Sequence, residues 1–179
     1  MRMRELIDTI DLMETELNNP FPYQQTNENE FTFSFDLHGA AQAGVIRIEK
    51  ATVSGQGVSG KETDDPAALL ASMFLDDDEQ VSYGYLHYKI NDKYTGFNTG
   101  GNGRRILSTV IMCTKQWLEQ NPNAKYIMFS GESDSGANNR PQVYQALTAM
   151  FAKKLGFKVV INGGDEGGLK GTYLLQVRK

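Results

Sequence analysis

NTGGNGRRIL, residues 98–107, is the stretch on which the reading of this chain turns. Gly100, Gly101 and Gly103 can take backbone dihedrals closed to other residues and let a second molecule approach the main chain. Directly behind them Ile106, Leu107, Val110, Ile111, Thr114, Trp117 and Leu118 recur at helical spacing, which predicts an amphipathic helix near residues 104–119. A helix that starts at such a turn presents unpaired amides and the positive end of its dipole, so it can hold phosphate oxygens without a metal. Arg104 and Arg105 add positive charge where cations oppose the dipole, which suggests an anionic partner; arginines are also ordinary surface residues. The stretch lacks the GxxxxGK[ST] spacing of a P-loop and the GxGxxG spacing of a dinucleotide fingerprint. A purely structural Gly-rich turn is the competing reading.

Downstream, Asn121-Pro122-Asn123 ends the helix and KYIMFS, residues 125–130, is a short apolar strand suited to a sheet interior. After a loop from Gly131 to Asn139, a second helix is predicted over 140–155, with Val143, Tyr144, Leu147, Met150, Phe151 and Leu155 on its apolar side and Gly156 placed to end it. Strands follow at 157–161 and 172–177, joined by the Gly-rich NGGDEGGLKG. Upstream, Leu6, Ile7, Ile10, Met13 and Leu17 predict an amphipathic helix over 3–18, ended before Pro20 and Pro22. Gln24 to Glu30 reads as a polar lead into the first strand, 31–37, where Phe31, Phe33, Phe35 and Leu37 share one face. A turn at His38-Gly39-Ala40 connects it to a strand over 43–53, a pairing too tight for anything but an antiparallel neighbour.

Residues 54–65 read as a surface loop or a poorly ordered insertion, and Asp64-Asp65-Pro66 opens a short helix. The acidic run 76–79 reads as a solvated boundary. Residues 80–89 form a tyrosine-rich strand with Val81, Tyr83, Tyr85 and His87 on one face and Leu86 and Tyr88 on the other; Lys93–Phe97 is a further short strand. The expected fold class is therefore α/β: a single domain over residues 1–179, built on a mixed, mainly antiparallel sheet flanked by helices.

At 179 residues the chain is long enough to bury a core without disulfides or metals. An apolar share of 40% and a charged share of 22% are globular values, and a formal charge of −4 argues against a broad nucleic-acid surface. The lone cysteine, Cys113, falls in the helical pattern as a small buried hydrophobe. Two histidines and one cysteine are too few for a protein-only zinc site. The acidic interruptions of the N-terminal segment exclude a signal-peptide core, and no stretch has the apolar length to cross a bilayer, so a cytoplasmic location without membrane association is expected.

The order of elements over residues 93–179 resembles the acyl-CoA-binding half of the GNAT superfamily, the acetyl-CoA-dependent N-acetyltransferases. That family carries [Gln/Arg]-x-x-Gly-x-[Gly/Ala] between a strand and the following helix. Asn98-Thr99-Gly100-Gly101-Asn102-Gly103 keeps the small positions at Gly101 and Gly103 and has Asn98 in the leading place. The resemblance implies that Asn98, Thr99, Gly100, Gly101, Asn102, Gly103, Arg104 and Arg105 hold the pyrophosphate of acetyl-CoA, with pantetheine along Thr95–Phe97. It also implies a splayed strand at Lys125–Ser130 and a leaving-group acid on the following helix. Tyr144 is the candidate acid, about two turns upstream of the family's usual tyrosine, which lies nearer the pair matching Gly156-Phe157. A looser similarity is to GNAT-like proteins encoded by tailed bacteriophages, which Arg140-Pro141-Gln142-Val143-Tyr144 matches.

Transfer of an acetyl group to an amine needs an uncharged amine, a base, donors for the developing oxyanion and an acid for the departing thiolate. Glu132 and Asp134, in the loop after the central strand, and His87, on the aromatic strand, are the base candidates; each has an ordinary structural reading as well. His38, at a turn, has no supporting constellation. Two functions stand side by side: an N-acetyltransferase acting on a small or protein amine, and a catalytically inactive binding or bacteriophage accessory protein of the same fold.

Overall fold

A computed structural model describes residues 19–55, 75–76, 78–93, 99–130, 140–163 and 171–178, with backbone alone for 140–143. The elements are β1 (Tyr23–Asn27), β2 (Glu30–Leu37), β3 (Ala40–Ser54), β4 (Gln80–Ile90), α1 (Gly103–Gln120), β5 (Ala124–Ser130), α2 (Arg140–Leu155), β6 (Lys158–Ile161) and β7 (Thr172–Gln176). The strands form one seven-stranded sheet in the order β1-β2-β3-β4-β5-β7-β6. Every neighbouring pair is antiparallel except β4 and β5, which run parallel. The chain is thus mixed α/β with a mostly antiparallel sheet. The helices expected over 3–18 and after Pro66, and nearly all of the strand expected at 93–97, lie outside the described residues; Lys93 makes an isolated bridge to Ile90.

Local chemistry accounts for the hairpins. His38 and Gly39 both take positive φ, 53° and 82°, the two-residue turn whose twist matches its flanking strands. The Asp36 carboxylate accepts the Gly39 amide at 2.9 Å and secures it. This turn starts β3 at Ala40, earlier than the apolar pattern suggests. Phe31, Phe33 and Phe35 are buried on one face of β2, and Phe33 lies opposite Gly44 of β3. A Cβ on Gly44 would come within 2.2 Å of the Phe33 ring, so only glycine lets that ring lie across the strand. A similar close approach occurs at Gly84, where a Cβ would meet Ile48 and Trp117 at 2.8 Å.

Parallel neighbours require a crossover, and α1 supplies it from β4 to β5. A second crossover, α2, runs from β5 to β6, parallel to β5 but with β7 between them. Both step the same way along the sheet, so the right-handed rule puts both helices on one face. The packing agrees: Ile106, Leu107, Val110, Ile111 and Trp117 of α1 and Leu147, Met150 and Phe151 of α2 share a buried cluster with the phenylalanines of β2, Ile46 and Ile48 of β3, and Phe129 and Tyr173. A smaller cluster, Val81, Tyr126, Met128, Ile161 and Leu174, occupies the other face. Gly156, at φ 69°, ends α2 in the left-handed conformation that favours glycine.

The polar lead at Gln24–Glu30 is itself in large part a strand, β1. Its side chains hold it through amides rather than apolar burial. Gln25 exchanges hydrogen bonds with Gln120 at 2.9 Å and accepts one from Gln116 at 3.0 Å, both on α1.

Candidate functional site

The topology fixes where the glycine turn must be. Because α1 returns the chain from the end of β4 to the beginning of a parallel β5, its N-terminus lies at the carboxyl ends of that pair, the end of a sheet at which α/β proteins commonly bind ligands. Leu37, at the carboxyl end of β2, touches the turn there. Gly100 has φ 57°, and a Cβ on it would stand 2.0 Å from Leu37 Cδ1, so conformation and space both require glycine. Gly101 has φ 85°, yet nothing lies within 4 Å of where its Cβ would be. Its main chain is open to an incoming group.

Asn102 closes the turn by donating its amide to the Thr99 carbonyl at 3.0 Å and begins the helix by accepting the Ile106 amide at 3.0 Å. Its side chain caps nothing, and the first turn carries no acidic residue. Helix geometry leaves first-turn amides without acceptors inside the helix. The two arginines differ. Arg105 turns back to the chain before β1, donating to the Asn19 carbonyl at 3.0 Å and the Pro20 carbonyl at 3.3 Å, with its guanidinium 3.9 Å from the Phe21 ring centre. Phe21 in turn donates its amide to Thr109 Oγ1 at 2.9 Å. Arg105 thus clamps the strap Asn19–Phe21 over the start of α1. Arg104, one position earlier, is half-buried. Asn98 lies outside the described residues.

The second feature is a divergence of strands. β4 and β5 pair only from Ser82–Ala124 to Tyr85–Met128. Beyond that point β4 stays paired with β3 as far as Ile90, while Phe129 and Ser130 of β5 stay paired with β7. Both strands continue in the sheet but no longer pair with each other, which leaves a slot in the hydrogen-bond ladder at the end where α1 begins.

Tyr144 is at this slot on the helix-bearing face. Its ring packs against Phe129 of β5 at 6.0 Å and stacks on Tyr173 of β7 at 5.8 Å. It is also close enough to Tyr88 of β4 that, together with the burial of Tyr88, it holds that phenol well above the ordinary tyrosine range. Tyr144 therefore bridges the two sides of the divergence from a packed position within the aromatic cluster. His87 is on the opposite face of β4, with its Nε2 3.8 Å from a carboxylate oxygen of Glu49 and its ring 6.1 Å from that of Tyr85. Burial lowers its pKa more than Glu49 raises it, so the imidazole is neutral, and able to accept a proton, at pH 7.

The turn and the slot share one end of the sheet, and His87 and Tyr144 flank the slot from opposite faces. Glu132 and Asp134 lie outside the described residues. His38 sits in the β2–β3 turn. Cys113 is buried, its thiol pushed up to about 12 by desolvation, and takes no part in the slot. Sequence reasoning missed the bond across the divergence, in which the Tyr85 and Ser130 hydroxyls lie 2.7 Å apart. Alternation placed Tyr85 on its face, but only the register brings Ser130 to it. Among the described residues there is no group of side chains fit to hold a metal ion, and no helix is long and apolar enough to cross a membrane. No protein-family model matches the chain, and no curated protein or solved structure matches it either.

Proposed function

We propose that the chain is a GNAT-like acyl-CoA-binding protein that transfers an acetyl group to an amine, with the cofactor's phosphates at the Gly100–Arg105 turn. One observation carries this reading: the open, uncapped glycine turn coincides with the divergence of β4 and β5, the one parallel strand pair among the described residues. The turn suits an anion, since Gly101 leaves space, the first turn has no carboxylate, and helix-terminal amides favour negative charge. A parting of two strands offers main-chain groups to a narrow chain such as pantetheine.

The chemistry then divides across the sheet. The neutral His87 is the base for the acceptor amine on one face, and Tyr144 is the acid for the departing thiolate on the other. Glu132 is an alternative base from the loop after β5. Transfer is direct, and the buried thiol of Cys113 forms no acyl intermediate.

A second reading, binding without turnover, is favoured by the packing of Tyr144 against Phe129 and Tyr173. Calorimetry with acetyl-CoA tests the shared premise, and thiol release with a panel of amines and peptides separates the two. Saturable binding with thiol release supports the transferase. Binding with release at background supports the inactive protein, and absence of binding at millimolar ligand by the folded chain defeats both.

A further inference from the structure

The Tyr85–Ser130 bond joins the last residue of β4 that pairs with β5 to a residue of β5 two positions beyond its own last paired residue, so it spans the point at which the strands part. Tyr85 belongs to the β4 face that carries Val81, Tyr83 and His87, and it packs against the smaller apolar cluster with Met128. The opposite side of the slot is lined by Tyr88, Phe129 and Tyr144. The slot is therefore bounded by aromatic rings on the helix face and by one hydroxyl pair on the other. Those hydroxyls are 2.7 Å apart, an ordinary separation for O–H···O, so the clasp is fully made.

We propose that the Tyr85–Ser130 clasp sets the length of the acyl group accepted between β4 and β5, admitting acetyl and excluding chains of several more carbons. This rests on the acyl-CoA reading above. A chain entering from the carboxyl ends of the strands meets the clasp where the pairing resumes. A short acyl group stops before it, whereas a longer one must break the hydrogen bond or remain in water. Each further methylene that is buried raises affinity about fourfold, so a hexanoyl group gains strongly where the slot is open and little where it is closed.

The test is calorimetry on the full chain with CoA, acetyl-CoA and hexanoyl-CoA, for the parent protein, Tyr85→Phe, Ser130→Ala and the double variant. Tyr85→Phe keeps the ring and its packing, and Ser130 is exposed, so both variants should fold; thermal melts check this. The parent should bind acetyl-CoA at least as tightly as hexanoyl-CoA. In each single variant the hexanoyl-to-acetyl affinity ratio should rise by about tenfold or more, the gain from burying two or more methylenes. The double variant should match the singles, because both remove the same bond. A ratio unchanged in both single variants, with CoA still bound, overturns the clasp and leaves the acyl-CoA reading standing. Failure of the folded parent to bind any of the three ligands overturns that reading, and the clasp falls with it.

Discussion

Gly101→Asp separates the structural role of the glycine turn from its electrostatic one. The backbone at Gly101 has φ 85°, where a side chain costs about 1–2 kcal/mol, with Asn and Asp at the lower end. No atom lies within 4 Å of the new Cβ, so no clash adds to this. For a chain of this size the melting temperature should fall by about 2–4 °C per kcal/mol. The charge acts separately. A carboxylate about 5 Å from a bound phosphate is repelled by ~1–3 kcal/mol across the effective dielectric range of a protein surface, a loss in affinity of about five- to 150-fold. Gly101→Asn has nearly the same shape and backbone strain without the charge. Calorimetry with acetyl-CoA at low and high salt should show the Asp variant binding more weakly than the Asn variant, and the gap should narrow as salt rises. Equal affinities for the two variants at low salt would refute placement of an anion at this turn, whatever their stabilities.

Three further outcomes follow from the packing and the titrations. Gly84→Val puts a Cβ 2.8 Å from Trp117 and Ile48 and should destabilise the fold by about 1–3 kcal/mol in urea unfolding; a neutral result would mean that α1 does not press on β4 as described. The lowered pKa of His87 means that the unfolded chain binds its proton at a higher pH than the folded one, so this residue makes stability fall as the pH drops below the ordinary histidine value of about 6.5. His87→Gln should flatten that part of the melting-temperature profile, and an unchanged slope would refute the buried neutral imidazole. Arg105→Gln removes the contact over Phe21 and the guanidinium bonds to the Asn19 and Pro20 carbonyls; it should cost about 1–2 kcal/mol and speed amide exchange at Phe21, which equal exchange rates would contradict.

Local rules reached most of the architecture. Periodicity found α1 and α2, alternation found β2 and β4, and His38-Gly39 marked the hairpin because its chemistry is confined to neighbouring residues. β1 escaped because Gln24, Gln25 and Thr26 offer no apolar alternation; their strand is held by glutamines of α1, far away in sequence. The site divides in the same way. The open turn at Gly101 was legible from three glycines before an amphipathic run. The engagement of Arg105 with Asn19 and Pro20 was not, since a guanidinium beside a helix start looks identical in sequence whether it faces a ligand or a carbonyl. Nor was the clasp, because nothing near Ser130 announces a partner on β4.

The short parallel pairing also shapes how the molecule comes apart. Two-residue and other short turns stitch β1, β2 and β3 into a ribbon of largely local contacts, and β3 and β4 add the longest ladder in the sheet. On the far side β5, β7 and β6 make a second ribbon. Between them run the few register pairs from Ser82–Ala124 to Tyr85–Met128, with α1 lying over both halves. Pulled across its strands, such a sheet should part at that seam before either ribbon frays. During folding, the seam's pairing closes a long loop and should form after the β2–β3 hairpin. Mutations in α1 that loosen Trp117 should then speed unfolding of the joined molecule, while the hairpins on either side keep much of their own protection against exchange.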